Sequence, residues 1–253
     1  MIDENRPPAE PRWPRGTPAK LPPGDLQLWL FSLERPPLPL DYLADLLSPE
    51  ERARAARFRF DVHRRRFTAG RGLLREALGR WLGEDPRALV FHYGEKGKPS
   101  LAGPAAPDLR FNLSHSQDLG LLGVSWGREL GVDVEACRPL EDAAGLVERF
   151  FAPGERAAFA ALAEERRLSG FYAGWTRKEA YVKARGDGLS LPTTSFEMTL
   201  DPEGPAALLA FDAEPAEVTR WAFTALDPAP GFLGAVAVES PGGALVRATW
   251  ADP

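Results

Sequence analysis

The chain is 253 residues long, 44% hydrophobic and 26% charged, the composition of an ordinary globular protein with enough residues for one large or two small domains. A formal net charge of −5 argues against a protein that coats nucleic acid, and the single Cys137 excludes an intramolecular disulfide. No stretch approaches the ~18 apolar residues of a membrane span or the layout of a signal peptide, so a cytoplasmic protein with neither membrane nor nucleic-acid partner is expected.

Residues 1–24 are dense in proline and poor in apolar residues, which predicts a disordered leader. Folding is expected to begin in Asp25–Leu33, an apolar and aromatic run of strand length stopped by Pro36 and Pro37. Ser48-Pro-Glu-Glu51 reads as a helix start with Ser48 as N-cap, Pro49 in the first turn and Glu51 completing a capping box; that helix should reach about Phe58. A second helix is predicted from Asp61 to Leu82, with Phe67, Leu74, Leu78 and Leu82 as its apolar stripe and Gly83 as its stop. Seven arginines fall between positions 52 and 66. A solvated face with long stems over apolar surface accounts for most of them, and guanidinium forks also suit phosphate.

Val90–Tyr93 predicts a strand entering the glycine-rich turn Gly94–Pro99, which lacks the spacing of a Walker loop. Leu109–Ser116 alternates as a strand ending in a polar turn, where Ser114 and His115 can donate to an anion, although a lone histidine is more often structural. Leu119–Trp126 is nearly all apolar and is predicted to be a central strand, joined through Gly127-Arg-Glu129 as a hairpin to Gly131-Val-Asp-Val-Glu135. In that last segment the alternation puts Val132 and Val134 on one face and Asp133 and Glu135 on the other, about 6.5–7 Å apart along the backbone. Two acids so placed can converge on a hard cation or line a solvated edge.

Helices are expected from Glu141 to Phe150, from the Ala152–Glu155 restart to Ala163, and from 166 to 185, where Gly186 ends the helix. On the last one Phe171, Trp175, Glu179 and Lys183 follow at i+4 spacing, so the stripe starts apolar and ends charged. Glu179 and Lys183 fit a surface pair, or the lining of a site where a third carboxylate meets the other two. Short strands at Phe196–Leu200, Ala207–Phe211, Thr219–Leu226, Gly231–Glu239 and Ala244–Trp250 read as a meandering antiparallel sheet.

Gly131–Glu135, followed by Trp175-Thr-Arg-Lys-Glu-Ala-Tyr-Val-Lys183, with Phe111–Ser116 upstream and Gly186-Asp-Gly-Leu189 downstream, resembles the 4′-phosphopantetheinyl transferases of the surfactin-synthetase-activating class, over roughly Leu47 to Phe196. The resemblance implies an α+β fold of two similar halves, antiparallel sheets with packed helices, and an active site between them. The boundary is expected near Gly127, giving halves 25–127 and 128–253. It implies transfer of the phosphopantetheine arm of coenzyme A to a serine of an apo acyl or peptidyl carrier protein, releasing adenosine 3′,5′-bisphosphate; a monomer is expected. It further implies Mg²⁺ held by Asp133, Glu135 and Glu179, and Lys183 on the pyrophosphate. Coenzyme A phosphates would meet Arg54, Arg66, Lys98, Ser114 and His115; Glu51 stands where some members carry a lysine, which could pass that contact to Arg52. The residue chemistry agrees, because splitting a pyrophosphate requires its charge to be neutralised and its oxygens held in line. Glu179 or a metal-bound water would accept the serine proton. A Mg²⁺-dependent nucleotide phosphohydrolase would use the same acids and arginines, and an RNA-binding module could use the arginines alone, although aromatic RNA-binding signatures are absent.

Overall fold

A computed structural model describes residues 25–102, 108–241 and 248–250; the proline-dense leader lies outside the described residues. The architecture is set by a strand apolar on both faces. In β1, Leu26–Ser32, the residues Leu26, Leu28 and Leu30 enter one core while Trp29 and Phe31 enter another, so the strand must lie between two layers.

The Trp29 side is covered by helices. α1, Leu40–Asp45, and α3, Asp61–Leu82, supply Leu43, Ala69, Leu73, Leu74, Ala77 and Leu78 to that core. α2, Pro49–Ala56, starts with the expected capping box: the Glu51 amide donates to Ser48 Oγ, and the Glu51 carboxylate accepts from the Ser48 amide at 2.8 Å. The same buried carboxylate accepts from Arg71 and, at 2.6 Å, from Arg75, and thereby ties α2 to α3. Glu51 is therefore structural, which explains an acid at a place where the resemblance allows a lysine. β2, Phe91–Tyr93, and β3, Pro99–Leu101, form a separate antiparallel pair around the glycine-rich turn.

β4, Leu109–Ser116, and β5, Leu119–Trp126, pair antiparallel, and β5 also pairs with β1. β6, Leu130–Ala136, was expected to complete a hairpin with β5. Instead Gly127, at φ +77°, turns the chain out of the first sheet, and β6 pairs with β10 in a second sheet. Val132 and Val134 face Leu26, Leu28, Leu30 and Leu121 across the gap, and burial of that face overrides hairpin pairing.

Beyond β6 come α4, Ala143–Phe150, α5, Pro153–Ala161, and α6, Glu164–Arg185, ended by Gly186 at φ +79°. β7, Glu197–Met198, and β8, Leu208–Ala210, form a small sheet of their own. α7, Glu217–Arg220, leads into β9, Trp221–Leu226, which pairs with β10, Phe232–Glu239. β11, Ala248–Trp250, runs parallel to β1 and returns the chain to the first sheet. The anticipated single meander is thus divided among three sheets. In layer order, the helices α1 and α3, the sheet β11-β1-β5-β4, the sheet β6-β10-β9 and helix α6 stack in succession. Among the described residues no helix is long and apolar enough to cross a membrane.

Candidate active site

The acids of β6 reach the site because α6 lies directly on their strand. A Cβ at Gly131 would collide with the Ala180 carbonyl and the backbone of Lys183 and Ala184, so only glycine permits this approach. The consequence is that Lys183 stands over Asp133, with Nζ–Oδ1 at 2.5 Å. Ser114 Oγ donates to the same carboxylate at 2.9 Å and accepts from Lys183 at 3.0 Å.

β4 meets β6 through side chains. Asn112, Ser114 and Ser116 alternate toward the neighbouring strand: Asn112 accepts from the Val132 amide, and Ser116 accepts from the Ala136 amide while donating to Glu135 at 2.7 Å. Ser114 thus lies within a strand, not in the polar turn anticipated for it, and orients Asp133 directly. The turn itself falls on Gln117, at φ +54°.

Asp133 is only 2% exposed, and its Oδ2 is buried without a hydrogen-bond partner. Burial pushes its pKa up, against the pull of Lys183 and Ser114. Glu135 and Glu179 are also pushed above the ordinary carboxylate range, first by burial and then by the charge of Asp133. The three acids share one field, with Lys183 as the opposing charge. Glu179 and Lys183 do not pair with each other as a surface couple would. In this conformation no three carboxylate, imidazole or thiol groups among the described residues form a ready-made metal cage. Even so, the donor set is hard oxygen, one buried oxygen lacks a partner, and an ammonium occupies the other, all of which fit a divalent cation.

Two cavities meet at Pro99, Asn112 and Leu113. One, about 580 Å³, contains Glu179 and Lys183 with Phe150, Trp175, Val182, Leu189 and Leu191 on its walls. Trp175 stacks parallel to Phe171 at 6.2 Å and meets Phe150 edge-on, so the expected apolar half of the α6 stripe packs as one aromatic group. The other cavity, about 480 Å³, holds Arg54, Arg57, Arg71, Tyr93 and His115. Arg54 is exposed, with its guanidinium over Phe67. Though exposed at the surface, His115 sits among enough protein for desolvation, with the charges of Lys183 and Arg66, to hold its pKa below that of a free imidazole. A bound anion would reverse that shift.

Two anticipated phosphate contacts stand differently. Arg66 is ion-paired with Glu34 and lines a separate depression with Asp61 and Arg65. Lys98 turns its ammonium inward to Glu129 at 2.7 Å, the Ala184 carbonyl at 2.7 Å and the Leu130 carbonyl at 3.3 Å, so it joins the loop, β6 and the end of α6. Arg110 grips the other oxygen of Glu129 at 2.6 Å. Sequence reasoning missed Glu129, Asn112, Ser116 and Arg71, whose partners are distant in the chain. The one available signal was the period-2 run Asn112, Ser114, Ser116.

Residues 129–237 match the model of the 4′-phosphopantetheinyl transferase superfamily, and residues 37–125 match that of the N-terminal part of a 4′-phosphopantetheinyl transferase. The chain is 43% identical over 215 residues to the 4′-phosphopantetheinyl transferase HetI of Nostoc sp., covering 85% of this chain and 87% of that protein. It is 32% identical to the transferase psf-1 of Bacillus pumilus, over 81% and 84% of the two chains, and 31% identical to Sfp of Bacillus subtilis, over 64% and 70%. An acid strand braced by a serine ladder, a helix bearing Glu179 and Lys183 laid on it, and likeness along most of its length place this chain in the 4′-phosphopantetheinyl transferase superfamily, in the Sfp-like class.

Proposed function

We propose that the chain moves the 4′-phosphopantetheine arm of coenzyme A onto a serine hydroxyl of an apo acyl or peptidyl carrier protein, with Mg²⁺ as cofactor and adenosine 3′,5′-bisphosphate as the leaving product. The observation that carries the cofactor and site assignment is the Asp133 carboxylate, buried, with one oxygen on Lys183 and Ser114 and the other unpartnered.

Asp133, Glu135 and Glu179 would hold the metal, which when bound neutralises pyrophosphate charge and fixes its oxygens for in-line displacement. Lys183 exchanges part of its hold on Asp133 for the pyrophosphate. Arg54 and His115 take phosphate in the adjoining cavity, and Ser114 keeps Asp133 oriented. Glu179 or a water on the metal would accept the serine proton. The serine Oγ–P bond forms as the P–O bond to the bisphosphate breaks. Lys98 contributes as a brace, with its ammonium already committed.

The test is to incubate the protein with coenzyme A, Mg²⁺ and a panel of apo-carrier domains and read intact masses. Carrier mass should rise by one phosphopantetheine with stoichiometric release of the bisphosphate. Release of the bisphosphate without any carrier would instead mark a phosphohydrolase.

A further inference from the structure

The cavity holding Glu179 and Lys183 opens past a rim that the chemistry above does not use. Leu189, in the turn Gly188–Ser190, is 106% exposed, while Phe150, Trp175 and Leu191 continue from it down the cavity wall half-buried. A single exposed leucine is unremarkable, but one continuous with an apolar wall forms a patch, the kind of surface that marks association. The turn is held in shape by Gly186 and Gly188, both at positive φ, so the outward aim of Leu189 is built into the backbone.

Two cations line the same cavity. Lys96 packs against Gly188, where an added Cβ would lie 3.3 Å from the Lys96 Cβ, and Arg149 lies over the Phe150 ring at 5.0 Å. Among the described residues neither takes part in an ion pair, whereas Lys98, two positions from Lys96, is fully engaged with Glu129. An apolar knob on a cavity that also carries two cations without ion pairs suits a partner offering an apolar spot edged by carboxylates.

We propose that this rim is the docking surface for the protein substrate: Leu189 seats an apolar residue beside the carrier's serine, and Lys96 and Arg149 meet acidic side chains around it. This rests on the transferase reading, since only a protein acceptor would need such a surface. In that reading the coenzyme A phosphate met by Arg54 and His115 lies across the divide formed by Pro99, Asn112 and Leu113, and the pyrophosphate lies at Lys183, deeper than the rim. A fully exposed leucine offers nothing to a phosphate.

The test uses the full chain with saturating coenzyme A and Mg²⁺, an isolated apo-carrier domain as varied substrate, and calorimetry for coenzyme A affinity. Leu189→Asp should raise the KM for the carrier about tenfold, and the double variant Lys96→Glu, Arg149→Glu several-fold, as expected for central and rim contacts. The wild-type KM should climb with salt, and in the charge-reversed double variant that dependence should vanish or invert. Coenzyme A affinity and melting temperature should stay at wild-type values, because Leu189 supports no packing. An unchanged carrier KM in both variants would overturn the proposal, as would a parallel loss of coenzyme A affinity, which would assign the rim to the nucleotide substrate. If the wild type binds coenzyme A but leaves every carrier unmodified, the transferase reading fails with it, and that result is distinct from both others.

Discussion

Asp133 is subject to two opposing influences: burial disfavours its charge, while Lys183 and Ser114 favour it. An acid whose folded pKa is raised contributes stability below its unfolded pKa and loses it as the pH rises through the folded value, so the ionised form is a net cost to the fold at neutral pH. Asp133→Asn should therefore leave the melting temperature equal or higher, with Lys183 free to turn to solvent. Transfer should fall by about a thousandfold or more, roughly 4 kcal/mol of transition-state stabilisation. Activity within tenfold of wild type would remove Asp133 from the site. A second comparison separates binding from bracing. Arg54→Ala and His115→Ala should weaken coenzyme A much more than 3′-dephospho-coenzyme A, because a contact to a phosphate cannot matter to a ligand lacking it. Lys98→Ala should weaken both alike; selective loss for coenzyme A would return Lys98 to the phosphate. At this scale the alternation of Gly131–Glu135 made the acids legible, since it assigns faces. It could not show that Lys98 is engaged by Glu129, because that pairing depends on where β6 lies in space.

Gly131 is where strand and helix constrain each other. Gly131→Ala drives a methyl into α6 backbone, which cannot rotate away as a side chain could. The expected cost is about 3 kcal/mol, lowering the melting temperature by roughly 6–12 °C, with transfer lost in step as Lys183 is lifted from Asp133. Unchanged stability would mean that α6 does not lie on β6 as described. Glu51 tests the helical layer through pH. Although burial pushes its pKa up, Arg75, the Ser48 amide and Arg71 outweigh it, and the net shift is downward. A depressed carboxylate contributes stability above its unfolded pKa and loses it as the pH falls through the folded value. Glu51→Gln should therefore cost about 3–5 kcal/mol in urea unfolding at pH 7, the range for breaking a buried pair, and the gap should close at acid pH below the carboxylate range. A gap independent of pH would place its role in shape and not charge. Helix ends were legible because Ser48, Gly83 and Gly186 act locally. The β5–β6 hairpin was misread because two apolar strands joined by a tight turn look alike whether they pair side by side or pack face to face.

The whole molecule is two helix-covered sheets pressed together, with apolar residues filling the interface and three acids and a lysine at the point where β4, β6 and α6 converge. The two-half reading matched this layering, but the return of β11 to the first sheet lay beyond what periodicity in the last strands could indicate. The central claim is that metal and pyrophosphate share one site built from the acids of β6 and α6. If the three carboxylates share a cation, their mutual repulsion without it should weaken the contact between strand and helix; a ligand bound only by the native state stabilises it, by about 2.7 kcal/mol at a hundredfold excess over Kd. The most direct measurement is the thermal shift with Mg²⁺ alone, coenzyme A alone and both together. Mg²⁺ should give a small shift, coenzyme A a moderate one and the two together a shift larger than their sum, with Glu179→Gln removing most of the excess while keeping the coenzyme A shift. Strictly additive shifts in the wild type would contradict a shared site, because two ligands at separate sites have no means of reinforcing each other.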